Sequence, residues 1–159
     1  MATIKTSYGT NNQTITCTVA SLTSTSVRSS AAIDNTTNLY LDAVVQVQIK
    51  TAAAATSTSG IINVYAYGTT DGGTTYPEGA GADGLITLTV PTNLILIGQL
   101  NCVANSTTYK SNPMSVAVAF GGVLPALWGI VIENLTGATL DAAGGNHKTI
   151  YQGILATSA

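Results

Sequence analysis

The clearest hydrophobic pattern in the chain runs from Asn38 to Lys50, where apolar and polar side chains alternate along the whole segment. One side of the extended chain carries Leu39, Leu41, Ala43, Val45, Val47 and Ile49, and the other carries Tyr40, Asp42, Val44, Gln46, Gln48 and Lys50. A period of two is typical of a β-strand with one buried face. We therefore expect 38–50 to be a central strand whose leucine side lies in the core.

Other short alternating segments are separated by turn residues. In 13–20 the apolar positions are Ile15, Cys17 and Val19, with threonines between them. Further strands are expected at 61–68, 85–90, 94–103, 113–121, 128–134 and 148–155, with a weaker edge strand at 26–33. The predicted fold class is all-β: a single-domain antiparallel β-sandwich of about eight strands, with a jelly roll as the expected topology. We place an N-terminal arm at 1–12, the sandwich at 13–156 and a C-terminal tail at 157–159.

A different pattern marks 94–97, where four successive side chains are apolar. A strand that is apolar on both faces is usually buried on both, either inside the sandwich or by a partner subunit. The outward side of 38–50 is nearly uncharged, which also suits a partner, and Trp128, the single tryptophan, is expected to be a core or interface anchor. The predicted interface set is Tyr40, Val44, Gln46, Gln48, Leu94, Ile95, Leu96, Ile97 and Trp128.

The composition supports an assembling protein. Only 8% of the 159 residues are charged, whereas 45% are apolar. A free monomer normally keeps a charged surface, whereas a subunit within an assembly can cover itself with uncharged side chains. The net charge of −2 lacks the basic footprint of a nucleic-acid binder, and there is no apolar run of membrane-spanning length. We therefore expect neither nucleic acid nor a membrane as a partner.

Candidate catalytic groups are few. His147 is the only histidine, and the chain has no Gly-x-Ser-x-Gly sequence to supply a nucleophile beside it. Asp42 and Glu133 are expected on strands without flanking aromatic platforms, Asp42 on an outward face and Glu133 protecting an edge. Cys17 and Cys102 are expected to be buried thiols, and their pairing is left open. We expect no enzyme activity and no cofactor.

The longest polar loop, 69–84, is the candidate ligand loop through Asp71, Tyr76 and Glu78. With Asp83, its acids could in principle collect a hard cation, but their spacing does not match a calcium-binding loop. A turn-forming role is therefore favoured for the acids. Tyr76, together with Trp128, is also a candidate platform for a glycan.

Three runs carry a family resemblance: Asp-Asn-Thr-Thr-Asn-Leu-Tyr-Leu-Asp-Ala at 34–43, Val-Tyr-Ala-Tyr-Gly-Thr-Thr-Asp-Gly-Gly-Thr-Thr-Tyr-Pro at 64–77, and Ala-Phe-Gly-Gly-Val-Leu-Pro at 119–125 with Trp-Gly at 128–129. They resemble small virion structural proteins of tailed bacteriophages over most of the chain from Arg28 to Gln152. The resemblance implies a non-enzymatic assembly subunit and carries no mapped site residues.

Taken with the composition, the resemblance leads us to expect a capsid decoration (cement) protein that binds the major capsid protein or another virion protein. We expect a homo-oligomer, with a trimer as the leading form. It would be made in the host cytoplasm and located in the virion, at the capsid surface. The alternatives are a neck, tail or fibre-associated structural component and a glycan-binding module for host attachment.

Overall fold

A computed structural model describes residues 3–54 and 56–158. The strands are β1 (Ile4–Tyr8), β2 (Gln13–Thr14), β3 (Val27–Ser29), β4 (Ile33–Asp34), β5 (Asp42–Lys50), β6 (Ile61–Thr69), β7 (Gly84–Ile86), β8 (Ile95–Asn101), β9 (Thr108–Lys110), β10 (Met114–Ser115), β11 (Leu127–Leu135) and β12 (Lys148–Ser158). The helical segments of this part of the chain are short 3-10 turns at Pro77–Gly79, Ala117–Phe120 and Gly144–Asn146. The predicted all-β class is confirmed.

Two antiparallel sheets pack face to face as a β-sandwich. In the first sheet, β12 lies between β5 on one side and β1 and β2 on the other, while β9 and β10 flank the far side of β5. The second sheet has the order β7-β3-β11-β6-β8, with β4 also beside β11. The pairing is nested along the chain: β1 and β2 pair with β12, β3 and β4 with β11, β5 with β9 and β10, and β6 with β8.

The core between the sheets follows the predicted alternation over most of β5. Ala43, Val45, Val47 and Ile49 are buried, with at most 1% of each residue exposed. They pack against the inward side chains of β6 and β11, which include Val64 and Ile130 and are joined in the same cluster by Trp128, Leu140 and Tyr151. Ile15 and Val19 are also buried, as predicted, whereas β2 itself spans only Gln13–Thr14.

The start of the predicted central strand is wrong, because 35–41 forms a turn before β5 begins. The Asn35 side chain closes this turn: its Nδ2 donates to the Tyr40 carbonyl at 2.9 Å, and its Oδ1 accepts from the Tyr40 amide at 2.9 Å. Leu39 takes a left-handed φ of 53°. As a result Leu39 and Leu41, predicted core residues, are 70% and 47% exposed. Tyr40, predicted to face outward, packs instead against the edge of the core.

The long connection between β6 and β8 covers the outer side of the second sheet and creates a second, smaller core. This cluster contains Val27, Tyr67, Ala80, Leu94 and Val131. The Tyr76 ring meets the Tyr67 ring edge-on, with the ring centroids 5.6 Å apart. The predicted long loop is therefore packed against the sheet through its apolar side chains.

Three further strand predictions need correction. Residues 113–121 were expected to form one strand, but β10 ends at Ser115 and a 3-10 turn follows, which leaves Val118 66% exposed. In 94–97, Leu94 is buried under the loop, whereas Ile95 and Leu96 are 50% and 45% exposed, so the segment is not buried on both faces within the chain. The expected edge strand 26–33 supplies β3, which lies between β7 and β11.

Both ends of the described chain are strands of the first sheet. Part of the predicted arm, Ile4–Tyr8, forms β1 and pairs with the last residues of β12, so 157 and 158 of the predicted tail belong to a strand. The rest of those two segments includes Met1, Ala2 and Ala159, which lie outside the described residues.

Candidate functional site

The outer face of the first sheet is the surface on which the predicted interface residues meet. The register places Val44 opposite Gln152 and Gln46 opposite Ile150, so these four side chains share the solvent side of β5 and β12, and Gln48 extends the row. We call Val44, Gln46, Gln48, Ile150 and Gln152 the outer face. These five residues are uncharged, and each is exposed or half-buried. The same register places two charged residues beside them, because Gln48 lies between Lys148 on β12 and Lys110 on β9.

Each glutamine of the outer face is held by a backbone carbonyl. Gln46 Nε2 donates to Ser111 O at 3.4 Å, Gln48 Nε2 to Asn146 O at 3.1 Å, and Gln152 Nε2 to Gly9 O at 2.9 Å. Among the described residues, no group donates to the three Oε1 atoms. The face therefore combines fixed hydrogen-bond acceptors with the apolar side chains of Val44 and Ile150. A surface of that chemistry fits a partner that offers hydrogen-bond donors around an apolar contact.

Two shallow hollows lie on either side of Gln46 and Ile150. One, of about 150 Å³, is lined by Val44, Pro113 and Gln152 among others. The other, of about 220 Å³, is lined by Gln48, Lys110 and Lys148. Hollows of this size fit small protruding side chains of a docking partner, because pockets that bury a drug-sized ligand are deeper and larger.

The remaining members of the predicted interface set lie elsewhere. Trp128 is fully buried and meets Tyr151 edge-on with ring centroids 5.2 Å apart, so it is a core residue. Leu94 belongs to the second core, and Ile97 packs against the main core from the edge strand β8. Exposed Ile95 and Leu96 are on that same edge strand of the second sheet. The structure thus brings together Val44, Gln46 and Gln48 and separates them from the others.

In the candidate ligand loop, Asp71 binds the loop itself, whereas Glu78 binds the connection that follows β7. Asp71 Oδ1 accepts hydrogen bonds from the Thr69 hydroxyl and from the Thr74 and Thr75 amides, which lowers the pKa of its carboxyl. Glu78 accepts from the Asn93 amide and from the amide and hydroxyl of Thr89, which lowers its pKa to about 2. The Asp71 contacts agree with the predicted turn-forming role, whereas Glu78 joins two separate segments. Tyr76 packs on Tyr67 and Trp128 is inaccessible, so the two cannot form a shared glycan platform.

Sequence reasoning did not identify the clamp made by Asp83. Its Oδ1 accepts from Arg28 Nε at 2.7 Å and from the Thr18 amide at 3.0 Å, while its Oδ2 accepts from the Thr18 hydroxyl at 2.6 Å. The hydrogen bonds from Arg28 and Thr18 outweigh partial burial and lower the pKa of the Asp83 carboxyl. No local pattern could reveal this cluster, because its three members lie 55 and 65 residues apart along the chain.

The other carboxylates have structural roles. Asp42 accepts from the Ser115 hydroxyl at 2.7 Å and from the Ala117 amide at 2.8 Å, and so holds the turn after β10. Glu133 is on β11, an interior strand, so the predicted edge-protecting role is wrong. Its Oε2 accepts from Asn63 Nδ2 at 2.7 Å and from the Tyr65 hydroxyl at 2.8 Å. Burial, followed by the Glu133 contact, raises the pKa of Tyr65 to about 12.

His147 and Cys17 line the same hollow of about 440 Å³ beside the start of β12. His147 is half-buried and held on both sides, since its Nε2 is 2.8 Å from the Asp141 carbonyl and its Nδ1 accepts from the Lys50 amide at 3.4 Å. Burial, with a smaller contribution from Asp83, raises the pKa of the Cys17 thiol to about 12. A thiol that stays protonated is a poor nucleophile, and this geometry does not support a cysteine–histidine pair.

The two cysteines are not joined: Cys102 is buried and Cys17 is half-buried, and both are free thiols. Among the described residues, no group of three or more histidine, cysteine, aspartate or glutamate side chains is placed to hold a metal ion. The same residues contain no helix of the length and apolarity needed to cross a membrane. Comparison of the chain with protein-family models, with curated proteins and with solved structures gave no match.

Proposed function

We propose that the protein is a non-enzymatic structural subunit of a tailed-bacteriophage particle and that it decorates the capsid, docking on a shell protein through the outer face of the first sheet. The outer face carries this proposal: Val44 and Ile150 are surrounded by glutamines that are already fixed in place. Side chains that are ordered before binding lose less conformational entropy when a partner covers them. Their lack of charge also avoids the cost of burying an unpaired ion at the centre of the contact, while Lys110 and Lys148 flank its Gln48 end.

The resemblance of 34–43, 64–77 and 119–125 to virion structural proteins supports the same role. Low charge supports it too, because repeated contacts across a shell need each subunit to present a surface that can be desolvated. The nested strand pairing is the path that a long antiparallel hairpin follows when it is rolled into a sandwich, and it supports our proposal that the fold is a jelly roll.

The test is a binding and imaging experiment with phage particles that contain the protein. Labelled antibody against the purified chain should cover the whole head. Label confined to one pole would instead identify a neck or tail component, and purified protein that binds only glycans would identify an attachment module. Either result overturns the decoration proposal.

A variant that adds a charge tests whether the protein binds the capsid through the outer face. Gln46→Lys places a cation at the centre of the face, at an exposed position whose substitution leaves the core intact. We expect it to abolish binding to undecorated shells in co-sedimentation. The matched control is Thr87→Lys, which adds the same charge at an exposed position in the connection after β7 and should bind normally. Normal binding by Gln46→Lys would show that the outer face is not the docking surface.

A further inference from the structure

The two ends of the described chain form a ribbon that extends past the rest of the first sheet. β1 pairs with 154–158 of β12, whereas the pairing of β12 with β5 ends at Ile154 and its pairing with β2 involves only Ile150 and Tyr151. Most residues of the ribbon are exposed, including Ile4 at 77% and Tyr8 at 65%. A two-stranded ribbon is only marginally stable in water, so a third strand would stabilise it considerably.

One edge of this ribbon has free backbone hydrogen-bonding groups. The Gly9 amide donates to the Gly153 carbonyl at 2.9 Å, which makes these two residues a hydrogen-bonded pair at the end of β1. In an antiparallel ladder the bonding direction alternates along the strand. Ser7 and Lys5 therefore bond β12, while Ile4, Thr6 and Tyr8 direct their N–H and C=O groups away from it. Within the described part of the chain, no residue meets these outward groups.

The other sheet edges carry features that discourage pairing with another chain. β7, β9 and β10 contain three, three and two residues, and short edge strands are poor templates. β8 is longer, but an irregularity in its pairing with β6 makes Ile97 an extra residue between Leu96 and Gly98. Such a bulge twists an edge away from a regular partner. β1 has five residues in unbroken register, with Lys5 as its single charge.

We propose that β1 pairs in antiparallel orientation with β1 of a second copy of this chain, about a two-fold axis at Thr6. This register places Ile4 opposite Tyr8 of the other copy and Lys5 opposite Ser7, so no two lysines face each other. Facing β-branched and aromatic side chains are a favourable cross-strand pair. The outward N–H and C=O groups of Ile4, Thr6 and Tyr8 are the ones that this register bonds. The two first sheets then become one continuous sheet across the axis.

This contact uses a strand edge and does not depend on the outer face or on the proposed capsid role. A two-fold contact between identical strands is closed, so by itself it produces a dimer. The test is the mass of the purified protein by light scattering, for which a single chain is 16.1 kDa. The wild type should have twice that mass. A wild-type monomer would overturn the proposal, and so would the trimer expected from the sequence, because three chains cannot all pair their β1 edges two at a time.

Thr6→Pro tests the backbone contact between the two copies without disturbing the fold of the single chain. Because the Thr6 amide points away from β12, proline removes no bond within the chain, and such an edge position is where a sheet tolerates proline. We expect Thr6→Pro to be a folded monomer. Thr6→Val, which keeps the amide and the β-branched shape, should keep the wild-type mass. If Thr6→Pro has the same mass as the wild type, the pairing is not the one proposed. A Thr6→Val variant with a lower mass than the wild type would also contradict it.

Amide hydrogen exchange of the wild-type protein gives a second test that does not rely on a variant. In the pair, the amides of Thr6 and Tyr8 are bonded to the other copy and should exchange as slowly as that of Ser7, which is bonded to β12. If Ser7 is protected while Thr6 and Tyr8 exchange at the rate of open amides, the edge is free and the proposal fails.

Discussion

The Asp83 clamp predicts a specific dependence of stability on pH. Asp83 lies at the end of the loop that covers Tyr67, and it joins this loop to Arg28 on β3 and to Thr18. Asp83→Asn keeps the size and shape of the side chain while it removes the charge. One of the two carboxylate oxygens is replaced by an amide nitrogen, which cannot accept a hydrogen bond from these donors.

The expected size of the effect follows from the geometry. The Arg28 and Asp83 side chains are 22% and 18% exposed, so water screens their contact less than it screens a surface ion pair. A hydrogen bond to a charged group contributes roughly 1.5–3 kcal/mol to stability. We therefore expect Asp83→Asn to lower the free energy of unfolding by about 2 kcal/mol at neutral pH. For a chain of this length that corresponds to a fall in Tm of roughly 4–8 °C.

The pH dependence has a definite sign. The pKa of Asp83 is lowered in the folded protein, below the ordinary value of 3.8 that it returns to on unfolding. A carboxyl of this kind stabilises the fold fully above its unfolded pKa and loses that contribution as the pH falls through its folded pKa. Wild type and Asp83→Asn should therefore differ in urea unfolding at neutral pH and converge in acid below 3.8.

Two outcomes would refute this reasoning. A difference between the two proteins that is the same in acid and at neutral pH would show that the carboxylate charge is not responsible. A double-mutant cycle with Arg28→Met provides the control, since the coupling free energy should be large only if Arg28 and Asp83 act together. Additive effects at neutral pH would mean that the ion pair contributes nothing.

Two other positions give equally direct expectations for stability. Gly153→Ala would make the new Cβ clash with Cγ and Cδ2 of the Tyr40 ring, so we expect a loss of about 1–3 kcal/mol in chemical unfolding. In a Tyr40→Ala background the same change should be nearly neutral, and equal losses in both backgrounds would exclude the clash. Asn134 is fully buried and donates to the carbonyls of Leu22 and Ala138 while accepting from the Thr136 amide and hydroxyl. Asn134→Ala should therefore cost on the order of 3 kcal/mol, and a loss under about 1 kcal/mol, the size of an ordinary surface change, would contradict that role.

The sequence predicts the structure well where the residues of a single strand determine which side chains are buried. From Ala43 to Ile49 a period of two is enough, because extended backbone and a buried face are all that the pattern needs. The periodicity gives the wrong prediction at Leu39 and Leu41. Apolar and polar residues still alternate there, but the Asn35 side chain closes a turn by bonding the backbone of Tyr40. The bond between Asn35 and Tyr40 is local, and an asparagine five residues before an aromatic is a signal that hydrophobic periodicity alone does not weigh.

The outer face shows why a docking surface is harder to predict than a core. Alternation places Gln46 and Gln48 outward, but their anchors, the carbonyls of Ser111 and Asn146, are 65 and 98 residues away. Fixed acceptors on this face are therefore a product of the tertiary fold. Because these anchors are backbone carbonyls, side-chain changes that leave the connections folded should leave the face intact. Gln152→Glu, in contrast, removes the donor to the Gly9 carbonyl and places a carboxylate against that carbonyl, so it should weaken docking through lost order as well as added charge.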